Sequence, residues 1–146
     1  VCLTKVTLVR KENFPRKQYG IGYKVIRLST KKGKFQFLWF EGERPFNKWI
    51  ICYKRPNTKI MALNGWNYPA GFHIFEKRSD AEQYKTPHFD EIVVQVRYRR
   101  IVARGFQDGA KCVIAKKIYV VYDKNNKGVE LRKTTIINLN KPFLYV

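Results

Sequence analysis

Two neighbouring strand-like runs hold the side chains best suited to chemistry. Arg97, Arg99, Arg100 and Arg104 lie in EIVVQVRYRRIVAR (91–104), and Lys116 and Lys117 in KCVIAKKIYVVY (111–122). Successive side chains of an extended strand point to opposite sides, so Arg97 and Arg99 share the side away from Val96 and Tyr98. With Arg100, Arg104, Lys116 and Lys117 they predict a basic face suited to phosphate oxygens, which cations hold without reading sequence. The alternative is an ordinary solvated sheet face. Flat rings beside such a face would add stacking on unpaired bases. Trp39, Trp49, Trp66, Tyr53, Tyr68 and Tyr98 are the candidates. Their alternation with aliphatic residues assigns most of them to the core. Trp66 and Tyr68, in the turn-rich stretch 65–71, are expected at the surface.

Other chemistry is sparsely represented. His73 sits between Phe72 and Ile74 in an apolar run, and His88 follows a proline. The three cysteines, Cys2, Cys52 and Cys112, are widely spaced in apolar runs, where a small buried thiol is the ordinary reading. No local pair has metal-ligand spacing, so no metal is expected. Gly20-Ile21-Gly22 opens a strand and lacks the helix a phosphate loop requires. Zinc-finger spacing, a helix-turn-helix and the RNA-recognition aromatic signature are missing, which argues against sequence-specific reading. Neither a catalytic motif, a cofactor nor a small-molecule ligand is expected.

Thirty Lys and Arg against eleven Asp and Glu give +19 over 146 residues, spread along the chain. Solubility requires only about 2–8 charges on a small domain. At 45% hydrophobic and 15% aromatic residues, the sequence builds a core and is no disordered basic arm. Segment 76–91 is an acidic island, with Glu76, Asp80, Glu82, Asp90 and Glu91. Its helix is therefore expected to point away from any polyanion.

The elements that must position these groups are mostly short strands, rich in β-branched and aromatic residues and broken by turns. Strands are expected at 1–10, 22–28, 34–40, 46–53, 59–63 and 72–75, with turns at 31–33 and 55–57. Ser79-Asp80-Ala81-Glu82 matches a capping box and Pro87 a stop, predicting one short helix near 80–86. In the long strand 91–104, Ile101 and Ala103 fall out of phase with Val96 and Tyr98, and a bulge near Arg99-Arg100 would correct this. Gln107-Asp108-Gly109 predicts a hairpin turn into 111–122. A second turn at 123–128 and a strand at 129–137 complete a meander, and the last residues are expected to dock. The fold class is α+β, mainly β: a single domain, 1–146, with an antiparallel sheet or open barrel and one short helix.

Gly71-Phe72-His73-Ile74-Phe75, the short helix with Ala81 and Tyr84, Val94-Gln95-Val96, Gly105 and Val113–Ile118 together resemble small uncharacterised proteins of phages and large DNA viruses. In these a GFH-aromatic strand precedes a helix and a β-hairpin, and Gly22-Tyr23-Lys24-Val25 also fits. The order of elements is similar to the ADP-ribosyltransferase core as well. That resemblance implies an NAD-gripping position at Lys24, a second at Phe72 or His73, and a late glutamate at Glu130. Lys24 stands where that family has histidine or arginine.

The expectation is a non-enzymatic basic protein that binds a polyanion, nucleic acid or an acidic protein assembly, without sequence preference. The viral resemblance implies a virion or minor capsid component. The alternatives are a degenerate ADP-ribosyltransferase-like domain and a viral inhibitor occupying a host nucleic-acid site. No run approaches the roughly 18–20 apolar residues of a membrane helix, and no basic-then-apolar leader opens the sequence. A virion or reducing intracellular location, without membrane or secretion, is therefore expected.

Overall fold

The computed structural model describes residues 3–30, 33–38, 42–52, 59–87 and 90–122. Among these described residues ten strands and one helix follow in chain order: β1 (Lys5–Leu8), β2 (Gly20–Leu28), β3 (Lys34–Phe37), β4 (Arg44–Pro45), β5 (Trp49–Ile51), β6 (Lys59–Met61), β7 (Asn67–Pro69), β8 (Phe72–Phe75), α1 (Arg78–Tyr84), β9 (Glu91–Gln107) and β10 (Ala110–Val120). Eight form one antiparallel sheet in the order β1-β9-β10-β8-β2-β3-β4, with β5 added beside β10; β6 and β7 make a separate ribbon. The mainly-β class and the short helix are as expected. The expected antiparallel sheet is found, and it is not a closed barrel.

β9 is the spine. Its 17 residues would extend about 55 Å if straight, longer than one flat sheet can cover. Its first half pairs with β2 from Glu91↔Arg27 to Tyr98↔Gly20, and its second half with β1. Along its other edge it pairs with β10, joined through Asp108 (φ 51) and Gly109 (φ 84). Two consecutive positive φ values are the signature of a tight hairpin turn whose twist matches its strands, which is why Asp-Gly was readable. β10 in turn holds β8 by residues 112–115 and β5 by residues 117–119.

The expected correction of phase takes a more elaborate form than one bulge at Arg99-Arg100. Arg100 has φ 57, and the register slips by one farther on, opposite Ala115 and Ile114, leaving Val102 extra. Tyr98 and Ile101 consequently share one core, with Val94, Val96, Ile118 and Phe72. Ala103 joins a second core on the opposite side, with Val25, Val93, Tyr68, Ile114 and the helix residue Ala81.

The helix runs from Arg78 to Tyr84, not 80–86, and the expected capping box does not form. Its N-cap is Lys77, which makes no side-chain cap, and Ser79 lies inside the first turn. β8 ends at Phe75, so the chain has only two residues in which to enter the helix. It leaves at Lys85 (φ −63, ψ 135), ahead of Pro87. Of the expected strand 46–53 only Trp49–Ile51 is extended. The turns at 31–33 and 55–57 fall wholly or partly outside the described residues. Residues 123–146, with the expected third strand of the meander, also lie outside them, as do Cys2, Trp39, Tyr53, His88 and Glu130.

Candidate functional site

Register determines which side chains share a face. Ile21 pairs with Arg97, Arg97 with Tyr119, and Tyr119 with Trp49. Directly paired residues of antiparallel strands project to the same side. A single row therefore crosses β2, β9, β10 and β5 as Ile21–Arg97–Tyr119–Trp49. The next row is Arg99–Lys117–Ile51. Their sequence neighbours Val96, Tyr98, Ile118, Val120 and Ile50 turn inward and are buried, which locks the outward direction of both rows.

Trp49 is 40% and Ile21 50% exposed, and Tyr19 and Ile51 are exposed beside them. The Arg97 guanidinium lies 4.8 Å from the Tyr19 ring centroid and 5.0 Å from that of Tyr119. Tyr119 meets Trp49 edge-on at 5.5 Å. Arg99 donates to the carbonyls of Gln18 and Phe14, which ties the 14–18 loop to the row. Four of the described acids pair elsewhere. Arg27 takes Asp90 and Glu91 at 3.6 and 3.8 Å, and Arg104 takes Glu12 and Glu76 at the same separations. No described carboxylate lies at ion-pair distance from Arg97, Arg99, Arg100 or Lys117.

The structure brings Arg97, Arg99 and Lys117 together, with exposed Arg100 next to them. Other expected members of this face are placed differently. Arg104 lies beyond the phase change and is neutralised between two carboxylates. The Lys116 ammonium is shielded from solvent and has no hydrogen-bond partner. Tyr68, expected at the surface, is fully buried. Its hydroxyl accepts from the Leu3 amide at 2.9 Å and sits 3.0 Å from His73 Nε2. Trp66 is exposed as expected, at 54%, but on the β6–β7 ribbon beside β1, away from the rows. The helix lies on the same side of the sheet as the rows: Ala81 packs with Val25 and Val93, which are in phase with Ile21 and Arg97 on their strands. α1 thus covers one end of the face whose other end the rows leave open.

Lys24 and His73, singled out by the transferase resemblance, do meet. Lys24 Nζ donates to the His73 carbonyl at 2.8 Å and lies 5.7 Å from the Phe37 ring centroid. Burial lowers the Lys24 pKa from 10.5 to about 8, partly offset by nearby Cys112. Burial likewise pushes the Cys112 thiol up to about 12, an unreactive state. Tyr98 is also shifted upward, chiefly by burial. Phe72 is core. Lys24 is thus committed inward, to a backbone carbonyl. Among the described residues no three His, Cys, Asp or Glu side chains converge on a metal position, and no helix is long and apolar enough to cross a membrane.

No local signal marks Tyr19, Ile21, Ile51 or Tyr119, and Trp49 is one of six stacking candidates that alternation assigns mostly to the core. Alternation in Lys48-Trp49-Ile50-Ile51 says that Trp49 opposes Ile50, but only the pairing with β10 says that Ile50 is the buried one. No family model, curated protein or solved structure matches this chain.

Proposed function

We propose that the protein is a non-enzymatic binder of polyanions, nucleic acid foremost, acting without sequence preference through the open end of the β2–β9–β10–β5 face. One observation carries this reading. Four described acids neutralise Arg27 and Arg104, and none lies at ion-pair distance from Arg97, Arg99, Arg100 or Lys117 on adjoining strands. Like charges held this close repel one another, and a row of phosphates would relieve the repulsion. A rigid sheet with fixed cations suits backbone phosphates, and among the described residues no helix is placed to enter a groove and read bases. A component of a viral particle, packed against nucleic acid, is the setting such a binder fits; it would occur at fixed stoichiometry in purified particles.

Retention on heparin and on mixed-sequence DNA is expected to fall steeply between about 50 and about 200 mM salt. The triple variant Arg97→Glu, Arg99→Glu, Lys117→Glu should bind far more weakly and lose about 3 from the log–log salt slope, at roughly one counterion per contact. Lys59→Glu, on the separate ribbon, should change the slope by no more than about 1. Equal binding by the triple variant and the unmodified protein would refute the assignment.

A further inference from the structure

We infer that the strand bound on this face is single-stranded, with unpaired bases stacking on Trp49 and Tyr119 while Arg97, Arg99 and Lys117 hold its phosphates. The inference rests on the polyanion reading and adds the ligand's chemical class. Phosphate binding alone needs no rings. Yet Tyr19, Arg97, Tyr119 and Trp49 form one unbroken series of flat groups, separated by 4.8, 5.0 and 5.5 Å. Ile21 and Ile51 expose apolar surface at its two ends. Such a contiguous apolar and aromatic surface marks a binding site, and a ligand with flat apolar faces of its own suits its rings. A duplex hides those faces in its stack; a single strand presents them beside its phosphates.

The series is also ready-made. Arg97 is held between two rings and Trp49 is set against Tyr119, so little ordering remains to be done on binding. A second copy of this chain is a poor occupant, because two bodies of +19 would meet on their unneutralised cations. An acidic protein surface would satisfy the cations but lacks the regular run of flat faces beside each charge that a single strand presents.

The test uses the full chain with four probes: oligothymidylate of about 16 nucleotides, oligouridylate of equal length, an abasic strand of equal length, and the corresponding DNA duplex, with heparin as a base-free reference. The unmodified protein should bind both base-bearing single strands about tenfold or more tightly than the abasic strand. Trp49→Ala should remove most of that advantage and leave heparin binding within about twofold, and Trp49→Phe should restore it. A preference between oligothymidylate and oligouridylate would identify DNA or RNA as the natural source. Equal affinity of the unmodified protein for abasic and base-bearing strands overturns the stacking inference, whether or not the variants fold, and leaves the polyanion reading standing. Tighter binding of the duplex than of either single strand also overturns it. Failure to bind any probe, heparin included, removes the polyanion reading too.

Discussion

Lys24 lies in a strand whose neighbours Val25 and Ile26 are core, and the fold withdraws its ammonium from water with one carbonyl as recompense. Below about pH 8 both states carry the cation, and the folded state bears the whole desolvation cost. Between about 8 and 10.5 the folded form has lost the proton while the unfolded chain keeps it, so stability rises with pH. The cost is on the order of 3 kcal/mol. Cys112 has the opposite sign: its thiol ionises first in the unfolded chain, so stability falls as pH climbs from 9 towards 12. Lys24→Met, which keeps the volume, is therefore expected to be more stable than the unmodified protein at pH 7, with the gap closing by pH 10.5. Urea melts of both proteins across that range check this, and a constant gap would mean that Lys24 is already hydrated. None of it was legible locally, since a lysine in an alternating strand reads as a solvated one. Tyr68 taught the same lesson: two residues from exposed Trp66, it is buried because the Leu3 amide and His73 come to it from distant segments.

At the scale of elements, local signals served well where the physics is local. The Asp108-Gly109 hairpin and the lengths of β9 and β10 were readable, because turn chemistry and strand alternation act within a few residues. The helix was found but displaced by two residues, because the end of β8, not the capping box, decides where it begins. That displacement leaves an N-terminus without a side-chain cap. Lys77 already has the extended conformation of an N-cap (φ −120, ψ 138), so Lys77→Ser should satisfy a first-turn amide. A gain of about 1 kcal/mol is expected, measurable as a higher midpoint in chemical denaturation. An unchanged midpoint would show that water already serves those amides as well. The phase change in β9 was legible as a need, from Ile101 and Ala103. Its form, a left-handed Arg100 followed by a slip at Val102, depends on how β10 and β1 are paired.

For the whole molecule, +19 is a standing electrostatic load that ion pairs at Arg27 and Arg104 only partly relieve. Raising the salt from about 10 to about 150 mM shortens the screening length from about 30 to about 8 Å. The melting temperature should therefore rise with salt, by about 3 °C for each kcal/mol of repulsion removed. A melting temperature that stays flat or falls would mean that the cations do not strain the fold. Composition, β-rich class, the β9–β10 hairpin and the excess of cations were all set by the sequence alone, because each depends on residue type or on neighbours along the chain. Which cations stand together and unpaired, and which rings stand beside them, was decided by tertiary structure. That outcome turns on register between strands distant along the chain, where Ile21 meets Arg97 and Trp49 meets Tyr119. A shift of one residue in that pairing would exchange the buried and open sides.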